Sequence, residues 1–136
     1  MIRSSATTQG AVTLSTGEAE FTALVKGISV GCGAVSMAND LGIPNATLTV
    51  NTDSSAAKGI ASRPGVGRVR HLHTALLWIQ GKVANKLVQV RKVAGTDNLA
   101  DLGTKHLDGK LMLKHLHACG FRIVSGKAVD ALRAAI

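Results

Sequence analysis

The stretch ATLTVNTDSS, residues 46–55, decides the fold class of this chain. Its first seven residues alternate and are rich in β-branched side chains, which is typical of a strand. The strand ends on Asp53, and Ser54 and Ser55 then open a short alanine-rich helix. A strand that leads directly into a helix is typical of a crossover unit, so the stretch predicts an α/β fold.

A long helix is predicted upstream of this stretch, ending near residue 41. Ser15 and Glu18 have the spacing of a capping box, which marks a helix start. Gly31 and Gly33 each weaken the helix by roughly 1 kcal/mol relative to Ala, and they indicate close packing or a local break. The apolar residues at helical spacing are Phe21, Leu24, Val25, Ile28, Val35 and Met37/Ala38.

Helices and strands alternate downstream as well. An amphipathic helix is predicted over residues 69–83, and a strand over residues 87–93. We expect this strand to pair in parallel with residues 46–52, because a helical crossover connects parallel strands. The other predicted elements are a strand over 11–14, a helical turn at 99–101 capped by Thr96 or Asp97, and helices over 111–119 and 128–134.

Length and composition indicate a folded chain. It has 136 residues, of which 46% are hydrophobic, enough for one domain with a single core. Disorder is excluded, because it requires low hydrophobicity. We expect residues 1–124 to form the domain and residues 125–136 to form a helical tail.

The charge balance points to a polyanionic partner. Sixteen Lys and Arg face eight Asp and Glu, so the net charge is +8, which favours nucleic acid first and an anionic membrane surface second. Aromatic residues make up only 2%, which excludes a surface that binds bases by stacking. With two cysteines, no apolar leader and no uninterrupted apolar span, we expect an intracellular protein without membrane contact.

Three of the scarce acidic residues stand where α/β proteins place reactive groups. Glu20 lies in the first turns of a helix, Asp53 at the carboxyl end of a strand, and Asp101 at a helix start. Converging carboxylates repel one another unless cations hold them, and such oxygen ligands suit Mg²⁺ or Mn²⁺. The alternative roles are structural, since Asp53 can cap a helix and Asp101 can favour a helix dipole. Glu18 is assigned to the capping box.

Five basic residues cluster between the short and the long predicted helices, and they are candidates for phosphate contacts. The alternative is a solvated loop and helix start. A zinc site near the C-terminus is not favoured, because His115 and Cys119 share a helix face, His117 points away and no fourth ligand is evident. The clustered basic residues are Arg63, Arg68, Arg70, His71 and His73.

Four segments, in order along the chain, resemble segments of one known family. Residues 9–21 (QGAVTLSTGEAEF) are similar to its Q-x-x-V-A-L-S-S-T-E-A-E-Y segment, and residues 50–57 (VNTDSSAA) to its C-D-N-Q-S-A strand end. Residues 70–73 (RHLH) resemble K-H-I-D, and residues 96–105 (TDNLADLGTK) resemble T-x-x-Q-x-A-D-x-L-T-K. The family is the C-terminal ribonuclease H domain of copia-type retrotransposon polyproteins, and the similarity covers roughly residues 9–121.

The resemblance implies a ribonuclease H-like, three-layer fold with a mixed sheet and helices on both faces. It implies hydrolysis of RNA in RNA–DNA hybrids by a two-metal mechanism, with two Mg²⁺ (or Mn²⁺) ions. It maps the catalytic and metal-binding carboxylates onto Glu20, Asp53 and Asp101. The implied partners are the RNA–DNA hybrid and the reverse transcriptase portion of the same polyprotein.

Departures from the family pattern bear on activity. The family has another metal-binding Asp on an earlier strand, so we expect its first hairpin to be missing here and the domain to be truncated. His73 stands where the family has Asp, and Phe21 where it has Tyr. Because an incomplete ligand set binds metal poorly, we expect impaired hydrolysis. The alternatives are a non-enzymatic nucleic-acid-binding remnant and a basic α/β interaction module.

Overall fold

The computed structural model describes residues 5–7, 9–10, 13–67, 74–124 and 127–128. Its helices are α1 (Thr16–Asp40), α2 (Ser55–Ser62), α3 (Trp78–Ala84) and α4 (Gly109–Ala118). Its strands are β1 (Leu48–Thr52), β2 (Val88–Lys92), β3 (Ile123–Val124) and β4 (Lys127–Ala128). Short 3₁₀ helices cover Thr74–Leu77, Gly95–Asp97 and Leu99–Gly103.

The chain separates into two compact units. One comprises residues 9–94, which contain α1 to α3 and the parallel strands β1 and β2. The other comprises residues 1–8 and 95–136, which contain α4 and the antiparallel pair β3 and β4. The mixed α/β class predicted from the sequence is confirmed. The predicted domain boundary at residue 124 stays a prediction.

The parallel pair of β1 and β2 is the sheet of the first unit. Leu48 pairs with Val88 at one end and Thr52 with Lys92 at the other. Beyond the last pair, the Val93 N–H donates to the Thr52 carbonyl at 2.9 Å. The predicted parallel crossover is therefore confirmed, and both strands end at the same edge.

A single apolar cluster fills the first unit. Phe21 and Ile28 of α1 and Ile79 of α3 are fully buried, and Val88 of β2 lies beside them in the cluster. Burial of a large aliphatic or aromatic side chain contributes about 1.5–3 kcal/mol, so these positions dominate the stability of the unit. The remaining core residues are Leu24, Val25, Ala57, Ile60 and Ala61.

The burial of α1 decreases towards its C-terminal end. The predicted apolar face is buried as far as Ile28, whereas Val35 is half-buried and Met37 is 66% exposed. At Gly31 a Cβ atom would lie 2.5 Å from Leu48 Cδ1, so this glycine marks close packing and the helix continues without a break. Among the described helices, α1 is the one whose length and apolar composition are sufficient to cross a membrane.

Several predicted element boundaries differ from the structure. Of the strand predicted over 11–14, Thr13 and Leu14 are not in a strand, because the Leu14 N–H is bonded to a side chain of α1, and residues 11–12 lie outside the described part. Of the helix predicted over 69–83, residues 74–77 form a 3₁₀ turn before α3, and residues 69–73 lie outside the described part. Of the helix predicted over 128–134, Ala128 belongs to β4, since it pairs with Ile123, and residues 129–134 lie outside the described part.

Gly31 and Gly33 of α1 give a prediction on stability. We expect Gly33→Ala to raise the free energy of unfolding by up to about 1 kcal/mol, because Ala favours the helix and its Cβ would meet no atom within 4 Å. For Gly31→Ala we expect a free energy of unfolding at least about 1 kcal/mol lower than that of Gly33→Ala, because the added methyl group displaces Leu48. Urea denaturation measures both values, and equal stabilisation by the two substitutions would contradict the close packing.

Candidate functional site

The first turns of α1 carry two glutamates, Glu18 and Glu20, whose surroundings differ. The Ser15 hydroxyl accepts a hydrogen bond from the Glu18 N–H at 3.2 Å, so Ser15 is the N-cap as predicted. The buried Glu18 carboxylate accepts from the Leu14 N–H at 2.8 Å, one residue earlier than in a standard capping box. Glu18 thus holds the helix start, whereas Glu20 is exposed.

Asp53 stands at the junction of β1 and α2. The N-cap of α2 is Ser54, whose hydroxyl accepts from the Ala57 N–H at 3.1 Å. The Ser54 N–H in turn donates to the Thr52 hydroxyl at 3.1 Å. Asp53 is therefore not the cap of this helix, and the capping alternative for it is wrong. Its half-buried carboxyl lies at the carboxyl edge of the parallel strands.

The segments that carry Glu20 and Asp53 adjoin each other. Gly17 of α1 lies so close to α2 that a Cβ atom at this position would be 3.1 Å from the Ala56 Cβ. Glu20 follows Gly17 by one helical turn, and Asp53 precedes Ala56 by three residues. At the same strand edge, the Lys92 ammonium donates to the Ser55 hydroxyl. Asp53 and the Lys92 ammonium thus lie near one end of the sheet, and the segment of α1 that carries Glu20 packs beside the start of α2.

Asp101 has an internal partner. It lies in the 3₁₀ helix Leu99–Gly103, is buried, and accepts hydrogen bonds from the Lys105 ammonium at 2.9 Å and the Asn98 amide at 3.3 Å. The N-cap of this turn is Asn98, so the predicted cap at Thr96 or Asp97 is wrong. Glu20 and Asp53 belong to one unit and Asp101 to the other, so the convergence of all three stays a prediction.

Asp97 forms an ion pair and does not act as a cap. The Lys114 ammonium of α4 lies 2.5 Å from its carboxylate. The hydrogen bond and the charge of Lys114 lower the pKa of the Asp97 carboxyl below its ordinary value of 3.8. Because the pair is exposed, it contributes little to stability, and that contribution is lost as the pH falls through the lowered pKa.

The residues of the predicted metal site fit a divalent cation in part. Within the described ranges, no group of three or more His, Cys, Asp and Glu side chains is arranged to hold a metal ion. The adjoining Glu20 and Asp53 nevertheless supply hard oxygen donors, and Mg²⁺ commonly binds through one or two carboxylates while keeping several waters. The pair therefore suits a hydrated ion, and the third ligand predicted at Asp101 is held by Lys105.

Of the five predicted nucleic-acid-binding residues, Arg63 is described and half-buried, whereas Arg68, Arg70, His71 and His73 lie outside the described residues. Arg63 donates from Nη2 to the Val66 carbonyl at 2.8 Å. Gln80 of α3 fixes the same loop, since its amide accepts from the Gly65 N–H at 2.9 Å and donates to the Ile60 and Gly65 carbonyls. No sequence motif singles out this glutamine.

His115 has no predicted role beyond the unfavoured zinc site. It is 1% exposed, and neither ring nitrogen has a hydrogen-bond partner within the described part of the chain. His117 is exposed, as its place on the opposite side of α4 predicts. A buried polar ring without a partner costs free energy, so replacement of His115 by an apolar side chain of similar shape should be neutral or stabilising.

Comparisons with protein-family models, with curated proteins and with solved structures give no match to this chain. A functional assignment therefore depends on the residues and contacts of the chain itself. Those that bear on chemistry are Asp53 at the strand edge, Glu20 on the adjoining segment of α1, and Arg63 at the end of α2.

Proposed function

We propose that this chain is a ribonuclease H-like domain of the copia retrotransposon type, which binds RNA–DNA hybrids and hydrolyses their RNA strand. One observation supports this most directly: Asp53 follows a parallel strand, and the segment carrying Glu20 adjoins it. Ligands of α/β proteins bind at the carboxyl ends of strands, so a carboxylate pair there is well placed for chemistry. The three-layer fold of that family is part of the proposal.

The proposed roles follow from the donor chemistry. Glu20 and Asp53 hold divalent cations at the strand edge, and Asp101 is the third carboxylate of the site. When bound, two Mg²⁺ or Mn²⁺ ions supply an activated water and stabilise the leaving oxygen in phosphodiester hydrolysis. Thr52 and Ser54 keep the backbone at Asp53 in place through their mutual hydrogen bond.

The basic residues bind the substrate. The net charge of +8 attracts a polyanion, and Arg63 with the basic residues that follow it contacts phosphates. Because aromatic residues are scarce, the binding is independent of base stacking. The proposed partners are the hybrid and the reverse transcriptase portion of the same polyprotein, in an intracellular setting.

A second function, hybrid binding without hydrolysis, is favoured by the environment of Asp101. Its buried carboxylate is already neutralised by Lys105 at 2.9 Å. Binding of a metal ion there requires Lys105 to leave, and the freed ammonium then repels the incoming cation. This ion pair supports the expectation that hydrolysis is impaired.

We expect slow hydrolysis of a labelled RNA–DNA hybrid that requires Mg²⁺ or Mn²⁺. Asp53→Asn and Glu20→Gln should each lower the rate by about a hundredfold or more, because each removes a charged metal ligand. Asp40→Asn is the matched control, since it removes an exposed carboxylate at the far end of α1 and should leave the rate unchanged.

The outcomes of this assay separate the two functions. Metal-dependent cleavage that is lost in Asp53→Asn and kept in Asp40→Asn supports hydrolysis. Hybrid binding without any cleavage supports the second function. Cleavage that Asp53→Asn leaves unchanged contradicts the role of Asp53.

Hybrid binding should weaken steeply with salt. The logarithm of the affinity should fall linearly with the logarithm of the salt concentration, because phosphate contacts release counterions. Replacement of Arg68 and Arg70 by Ala should reduce this slope by about one for each arginine that binds a phosphate. Fluorescence anisotropy over a range of salt concentrations measures the slope, and an affinity independent of salt would contradict the proposed mode of binding.

A further inference from the structure

A second stripe of apolar and small residues runs along α1, on the side that faces away from the core. Its residues recur at alternating spacings of four and three, which is the repeat of a coiled-coil seam. Every one of them is exposed, and the exposed fractions of Met37 and Leu41 are 66% and 77%. This outer stripe consists of Ala23, Gly27, Val30, Ala34, Met37 and Leu41.

The outer stripe is complementary to itself when two copies of α1 lie antiparallel. A two-fold axis near Cys32 then brings each small residue of the stripe opposite a large one, and such alternation lets facing side chains interdigitate. A parallel pair in register instead places Gly27 opposite Gly27 and Leu41 opposite Leu41, which leaves a gap at one level and crowds another. The antiparallel pairs are Ala23 with Leu41, Gly27 with Met37, and Val30 with Ala34.

Gly27 leaves room for a side chain of the second copy. A Cβ atom built on Gly27 would meet no atom within 4 Å, so its backbone is open to close approach. The opposing Met37 is unbranched and flexible, and such a side chain fills irregular space well. The middle levels of the stripe can therefore pack without moving the backbone of either helix.

The charges of the chain also favour contact at this place. Two copies with a net charge of +8 repel each other, yet the sequence contains no Lys or Arg between Lys26 and Lys58. Apart from Ala23, the outer stripe lies within this interval. The antiparallel arrangement also places Lys26 of each copy beside Asp40 of the other. Exposed pairs of this kind contribute little to affinity, and they favour the antiparallel direction.

We propose that two copies of this chain associate through the outer stripe of α1, as an antiparallel pair of helices about a two-fold axis. Residues 23–41 span about 27 Å at 1.5 Å per residue, and half of the stripe is Ala or Gly. The buried area is therefore small, and the dimer forms in a weak, reversible equilibrium. The pairing covers the largely exposed apolar part of α1 and does not depend on hydrolysis of a hybrid.

Sedimentation equilibrium of the full, nuclease-treated chain tests the contact. We expect a reversible equilibrium of monomer and dimer, which Met37→Glu weakens at least tenfold, because the carboxylate loses water opposite Gly27. Ser36→Glu is the matched control, since it places the same charge on the neighbouring exposed position outside the stripe and should leave the dimer intact. A chain that stays monomeric at all concentrations, or equal effects of the two substitutions, would overturn the proposal.

Disulfide formation tests the direction of the pair, in chains whose Cys32 and Cys119 are replaced by Ala. Chains with Val30→Cys and chains with Ala34→Cys should link to each other when mixed, because these positions face one another. Neither chain should link to itself, because its two cysteines would lie beyond the roughly 7 Å between Cα atoms that a disulfide can bridge. Linking of either chain to itself would show a parallel pair, and no link in the mixture would show no contact; both results count against the proposal.

Two further measurements separate other causes of association. The dimer should persist as the salt concentration rises, since salt screens the repulsion between the two basic copies. Its loss in high salt would show association through charge and would overturn the stripe. Binding of a monomeric chain to phosphatidylcholine vesicles, lost in Met37→Glu and kept in Ser36→Glu, would show that lipid covers the stripe and would overturn the dimer. Failure of hybrid binding or cleavage contradicts the proposed function only.

Discussion

The packing of the first half of α1 against α2 and β1 is the contact on which the rest of the structure depends. Close approaches mark both ends of this contact, with Gly17 against Ala56 and Gly31 against Leu48. Between them, the fully buried Phe21 and Ile28 anchor the helix in the core. Because this packing brings the start of α1 beside the start of α2, it places a helix carboxylate near a strand-end carboxylate.

The chain combines a few carboxylates with a large basic excess, and in the proposed function both serve one substrate. The net charge of +8 would attract phosphates, and the metal ions proposed to assist phosphodiester hydrolysis would need carboxylates. The ammonium groups of this basic excess would compete with metal ions for the carboxylates. Lys105 neutralises Asp101, and Lys92 donates to Ser55 at the strand edge close to Asp53. Under the proposed function, the balance between these ammonium groups and divalent cations would decide whether a bound hybrid is also hydrolysed.

Helix caps and strands that depend on nearby residues in the sequence were predictable, whereas burial and packing that depend on distant parts of the chain were not. The cap at Ser15 and the parallel strands follow from spacing and residue type, and the structure confirms both. The cap at Asn98 was missed because consecutive polar residues can each cap a turn. Helical periodicity predicted the apolar face of α1. It did not predict that the burial of this face decreases beyond Ile28, because that depends on where β1 lies. The sequence also could not decide whether Asp53 or Ser54 caps α2, because both residue types are favoured at the N-cap.

Broadening of amide NMR signals by substoichiometric Mn²⁺ tests the central proposal most directly, which is a cation site that Glu20 and Asp53 share. The paramagnetic ion broadens signals of nearby nuclei whether or not hydrolysis occurs. We expect the signals of both residues to broaden together and Asp53→Asn to abolish the effect, whereas Asp40→Asn should not. Broadening that spares either residue, or that persists in Asp53→Asn, would contradict the proposed site.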